Sequence, residues 1–170
     1  MTDTQMEHDV DTDERIHPIH VSTEWLGRYQ SINHVRDVPD VYIDEPKELG
    51  GKNSGTTALE ATLAALNSCT AMIMYIMQRE LRFDLRGVRF ETDGFVDVRR
   101  VEMKKSGLKY SEVVPIADHY KSVTQRVFIM SNEPPERVEH FRNEVHRLCP
   151  LHCLLRDAGV PLDTEWTVEA

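Results

Sequence analysis

Cysteine supplies the most reactive side chains in this chain, at Cys69, Cys149 and Cys153. A thiolate serves as nucleophile or metal ligand, whereas a buried thiol often packs as a small inert hydrophobe. Cys149 stands directly before Pro150, and Cys153 follows four residues later, one helical turn on. A metal use would recruit His146, Cys149, His152 and Cys153, which read H-x2-C-x2-H-C. That spacing is not a usual zinc pattern, and Pro150 disturbs a helical ligand set, so no metal site is expected. The remaining histidines, at 8, 17, 20, 34, 119 and 140, are dispersed among polar neighbours and read as surface residues. A nucleophile elbow G-x-S-x-G is absent. The loop KELGGKNSGTT at 47–57 has glycines for tight turns, but it is not a phosphate loop.

The elements that must position these thiols follow from periodicity. IHVSTEWLGRY at 19–29 reads as a strand turning at Gly27, and DVYIDEP at 40–46 as a second strand stopped by Pro46. The two can pair as a hairpin, with 30–39 between or within them. Residues 57–81 form a long helix carrying Cys69, apolar almost all round and so expected to be buried on most sides. Residues 87–103 read as a strand with a break at Gly94, 104–120 as a polar excursion, and 121–131 as an alternating strand. After Pro134 and Pro135 comes an amphipathic helix, 136–149, with Val138, Phe141, Val145 and Leu148 on one face. Pro150 kinks or restarts it, Gly159 caps the continuation, and a last strand closes the chain. This order predicts an α+β fold with mainly antiparallel sheet.

Composition narrows the function classes. The 170 residues carry a formal net charge of -9, which argues against a nucleic-acid partner. The densest basic stretch, RRVEMKK at 99–105, reads as a solvated loop. The acidic segment 1–16 is expected to be disordered and has no secretory h-region. Three cysteines are too few for a disulfide framework, so a reducing, cytoplasmic setting is expected. Residues 61–78 are uncharged and long enough to span a bilayer, but their polar and alanine content reads as a core helix, with no membrane partner.

Two stretches together resemble a known family. DEPKELGGKNSGTTALEATLAALNSCTAM at 44–72 looks like the first signature of OsmC/Ohr proteins, and EHFRNEVHRLCPLHCLL at 139–155 resembles their second, which ends in Cys-Pro. The resemblance covers about residues 20–169, and the domain reading is an acidic tail, 1–16, followed by an OsmC-like domain, 17–170. It implies an intertwined homodimer in which each long central helix is wrapped by sheet and the sites lie at the subunit interface. It implies that Cys69 attacks an organic hydroperoxide, that Cys149 condenses with the oxidised sulfur, and that a dithiol, of lipoyl type, reduces the product. No metal or organic cofactor is implied. In peroxidase members an Arg held by a helical Glu activates the first cysteine. Here the candidates are Arg28 or Arg36 for the first role and Glu60 for the second. Glu60 precedes Cys69 by nine residues, whereas the best-known peroxidase subfamilies have ten, a place held by Leu59. On a straight helix that separation is about 180°, so a plainer role at the helix N-terminus stays open. Three functions therefore remain: a peroxidase, a non-peroxidatic relative that binds a small apolar or thiol-reactive ligand or senses redox state in the interface pocket, and a structural dimer. Cys153 stays open as a substitute for Cys149.

Overall fold

The computed structural model describes residues 15–112 and 119–169, which form two compact units, one ending at Thr57 and one starting at Ala58. The acidic segment expected to be disordered lies, as far as residue 14, outside the described residues; so does 113–118 of the polar excursion.

The first unit is an antiparallel meander of β1 (Ser22–Gly27), β2 (Gln30–His34) and β3 (Val41–Ile43). Two strands were expected here, paired as one hairpin. Instead β2 lies between the other two, so β1 and β3 do not pair directly. The turn at Gly27 is tight enough that Gly27 has φ 104 and Arg28 φ 50, and a strand can begin again at Gln30. A loop then wraps the carboxylate of Asp44, which accepts hydrogen bonds from the Glu45, Lys52 and Ser54 amides and the Ser54 hydroxyl. Burial raises the Asp44 pKa, but these bonds, those from Ser54 above all, outweigh it and hold the group at about 2. Gly51 is obligatory in this wrap, because a Cβ there would sit 1.7 Å from the Glu45 carbonyl oxygen.

The second unit is built on α1 (Ala58–Glu80), β4 (Gly87–Val96), α2 (Arg99–Lys105), β5 (Tyr120–Met130), α3 (Pro135–Leu148), α4 (Pro150–Asp157) and β6 (Leu162–Glu169). Its sheet runs β4-β5-β6, antiparallel between β4 and β5 and parallel between β5 and β6. The fold is α+β, with α1 packed on α3, α4 and β4. Two details differ from the sequence reading. The strand predicted to reach residue 103 ends at Val96, because the Asp97 carboxylate accepts the Arg99 amide and starts α2; the basic stretch expected to be a loop is therefore helical. Gly94 does not break β4. It makes room for the Tyr120 ring, whose nearest carbon would lie 2.3 Å from an added Cβ.

Two apolar clusters hold this unit together. One contains Met74, Met77, Phe83, Val127, Ile129, Val138, Phe141 and Val145. The other contains Leu66, Tyr120, Val123 and Val160. Leu148, expected on the buried face of α3, is exposed, since the helix ends there and Cys149 takes the inward place. Buried positions of α1 form a single stripe, Leu66, Thr70, Met74 and Met77, while Met72, Tyr75 and Ile76 are exposed in the single chain. By length and composition alone α1 could cross a membrane.

Phe141 is fully buried, stacked on Phe83 at 4.1 Å and edge-on to Trp166. Phe141→Ala should cost ~3–5 kcal/mol of stability, read from the shift of a urea unfolding midpoint.

Candidate functional site

The second unit brings two of the three thiols together. Pro150 occupies the first position of α4, and the residue before a proline is driven out of the helical region. Cys149 accordingly has φ -72 and ψ 116, ends α3 and begins α4. The break turns its side chain inward. Cys149 is fully buried, and its Sγ lies 3.4 Å from the Sγ of half-buried Cys69 on α1. All three cysteines are free thiols. The restart also leaves the first amides of α4 without intrahelical partners, and the Leu151 N–H is directed at the Cys69 sulfur.

Burial is the largest influence on Cys69 and raises its pKa above the ordinary cysteine value. Cys149 and Cys153 raise it further, and the Leu151 N–H opposes them. Cys153 is half-buried, and its thiol donates to the Arg147 carbonyl at 3.4 Å.

Beneath the sulfurs lies a buried polar layer that sequence reasoning missed. Thr70 Oγ1 is 3.9 Å from Cys149 Sγ and 3.2 Å from His152 Nε2. His152 Nε2 also meets Gln125 Oε1 at 3.2 Å, and Gln125 donates to Asn67 at 2.9 Å. Thr92 closes the chain by donating to Asn67 at 2.7 Å. A signal for this layer was present: Thr70 interrupts the apolar stripe of α1, and Gln125 stands among the inward-facing Val123, Val127 and Ile129 of β5. Polar residues in core phase must be satisfied, and they mark places that packing alone does not explain.

The other predicted residues are placed differently. Glu60 is exposed in the first turn of α1, about 13 Å along the axis from Cys69. After burial, its charge is what raises the Tyr120 pKa. Arg28 and Arg36 belong to the first unit and adopt positive φ at its turns. His146, read as a remote zinc candidate, stacks on His152 at 4.7 Å. Among the described residues no group of three or more His, Cys, Asp or Glu is arranged to hold a metal ion.

The OsmC-like protein family model matches residues 51–165. This chain belongs to that family. Solved structures share its fold at low identity. An OsmC-like protein from Mycoplasma pneumoniae is 13% identical with TM-score 0.73, covering 91% of this chain and 99% of its own. The organic hydroperoxide resistance protein OsmC of Legionella pneumophila is 14% identical with TM-score 0.65, covering 92% and 100%. OhrB, the organic hydroperoxide resistance protein of Bacillus subtilis, is 17% identical with TM-score 0.59, covering 89% and 98%. No curated protein matches the sequence. In this OsmC-like chain the long central helix therefore carries Cys69, and the Cys-Pro break of the second signature carries Cys149.

Burial holds the pKa of both His146 and His152 down at about 4. A depressed histidine pKa favours the neutral form in the folded state. The resulting stability is fully present above the unfolded value of about 6.5 and is lost as pH falls toward 4. Unfolding free energy should drop between pH 6.5 and 5 by up to about 1 kcal/mol per pH unit for His152, and by less for partly exposed His146. Denaturant titration at pH 7, 6 and 5 checks this, and His152→Phe should flatten the slope.

Proposed function

We propose that this OsmC-like protein is a thiol-dependent peroxidase reducing organic hydroperoxides through Cys69 and Cys149, with 17–170 as its functional domain in the cytoplasm. The observation that carries the reading is the 3.4 Å approach of the two sulfurs, one of them fully buried. Two of the similar structures are organic hydroperoxide resistance proteins, which supports the substrate class.

The Cys69 thiolate attacks the peroxide O–O bond and takes one oxygen as a sulfenic acid, and the alkoxide leaves as the alcohol. Cys149 then attacks the Cys69 sulfur; the S–S bond forms, the S–O bond breaks, and the oxygen departs as water. An external dithiol of lipoyl type returns both thiols by two exchanges and is itself oxidised to a disulfide. Sulfur carries every step, so neither a metal nor an organic cofactor is required. The Leu151 N–H favours the thiolate, and a cation from Arg28 or Arg36, oriented by Glu60, supplies the rest. The exposed apolar side chains Met72, Tyr75 and Ile76 support an intertwined homodimer, since contiguous apolar surface of this kind marks an interaction site.

One observation favours a second reading. Burial raises the Cys69 pKa, whereas a peroxidatic cysteine needs it lowered. A non-peroxidatic protein would use the same thiols to sense redox state or to bind a small apolar or thiol-reactive ligand in the interface pocket.

Thiol titration before and after one equivalent of an organic hydroperoxide separates the two. The peroxidase should lose two thiols, with a peptide map joining Cys69 to Cys149, and Cys69→Ser should abolish turnover in a folded protein. If all three thiols survive, the peroxidase reading fails and the second stands. If Arg28 or Arg36 is the activating cation, its replacement by Ala should move the pH midpoint of Cys69 alkylation upward.

A further inference from the structure

Cys149 is fully buried, so its proton and its charge must be handled by its neighbours. Among the described residues two polar atoms touch its sulfur, Cys69 Sγ at 3.4 Å and Thr70 Oγ1 at 3.9 Å. While Cys69 is a thiolate, Cys149 can donate to it. Once Cys69 is oxidised that acceptor is gone, and Cys149 must itself become the thiolate. What Thr70 can offer it then follows from hydrogen-bond arithmetic.

A threonine hydroxyl has one proton to give and two lone pairs to share. Gln125 Nε2 donates to Asn67 Oδ1, so Gln125 Oε1 is the atom turned to His152. Oε1 can only accept, which makes His152 Nε2 the protonated nitrogen of a neutral ring. Its low pKa agrees with that neutral state. The single His152 Nε2–H is shared between Gln125 Oε1 and Thr70 Oγ1, each at 3.2 Å, and the second Gln125 Nε2–H reaches Thr70 Oγ1 at 3.4 Å, so both lone pairs of the hydroxyl face donors. Thr70 is left only its proton, for either the Leu66 carbonyl at 2.8 Å or the Cys149 sulfur. A carbonyl one turn back holds it at rest. A charged sulfur is the stronger acceptor, and the hydroxyl can swing to it by a χ1-neutral rotation of its O–H bond.

We propose that Thr70 donates to the Cys149 thiolate during disulfide closure, and that His152 and Gln125 are positioning residues that leave it no other role. This rests on the Cys69/Cys149 pairing above. All three side chains are buried, at 0%, 6% and 0% exposure, so solvent does not substitute for them. The covalent step is a displacement: the Cys149 sulfur gives up its proton and forms a bond to Cys69 Sγ, the leaving group on Cys69 departs with the electron pair of its broken bond, the released proton ends on that leaving group or, where it is a weak base, in solvent, and Thr70 keeps its own proton.

The test uses the full chain carrying Cys153→Ser, with an aromatic disulfide as oxidant. Cys69 takes one aryl thiolate and releases another; Cys149 then displaces the second, so two optical phases are read in order. Thr70→Val should leave the first phase unchanged and slow the second about tenfold or more, the order expected for losing a hydrogen bond to a charged acceptor. Thr70→Ser should restore most of the rate. His152→Phe should slow the second phase alone, and it decides the matter if circular dichroism shows that Thr70→Val does not fold. A second phase at the parent rate in Thr70→Val, or a Thr70→Ser variant as slow as Thr70→Val, overturns the proposal. The aromatic disulfide reacts whether or not the chain reduces hydroperoxides. A parallel run with hydroperoxide therefore separates failure of the peroxidase reading, which leaves the Thr70 dependence intact, from failure of this one.

Discussion

The ring of Pro150 crowds the backbone of Cys149 out of the helical region, and the rest of the site depends on that steric conflict. A continuous helix would have carried residue 149 onward along the amphipathic face of α3. The forced extended conformation instead ends one helix and begins another at the same residue. It turns the thiol into the core, 3.4 Å from Cys69, and it exposes the amide of Leu151 to the Cys69 sulfur. One residue's restricted dihedrals thus set both the Cys149 thiol and the Leu151 amide against Cys69 at once.

Such a site needs support that does not give. α1 and β5 both run from one apolar cluster to the other, and the polar layer of Asn67, Thr70, Gln125 and His152 lies where they cross between them. Buried polar groups are costly when unpaired and rigid when paired. Here each has partners, so the layer fixes side-chain directions more sharply than apolar packing would. The price is felt at the edges, where His146 Nε2 and Trp166 Nε1 are buried with no hydrogen-bond partner among the described residues. The same burial keeps both histidines neutral and pushes the Cys69 thiol up.

Cys69 and the residues expected to activate it are held by different parts of the chain. Cys69 draws its surroundings from α1, α3 and α4 of one unit, while Arg28 and Arg36 stand on turns of the other. Glu60 shares a helix with Cys69 but is separated from it by nine residues, on the opposite side of an ideal helix. Its place in the first turn suits the positive end of the helix dipole.

How much of this was legible can be judged residue by residue. The long helix was readable to within a residue at either end, because twenty-odd residues without a breaker leave few alternatives. The restart at Pro150 was readable for the same local reason, and the paired signatures located both cysteines. Local chemistry also set the α+β class, through the order of elements. Tertiary structure alone decided the rest. The strand β2 became visible only once two neighbours paired with it, whereas the end of the strand at Val96 turned on a local carboxylate that the periodicity did not reveal. That Gln125 and His152, up to 82 positions away in sequence, meet on the Thr70 hydroxyl beside the Cys149 sulfur is a fact about packing. Periodicity tells which face a residue occupies; only the folded chain tells which other residues occupy the same space.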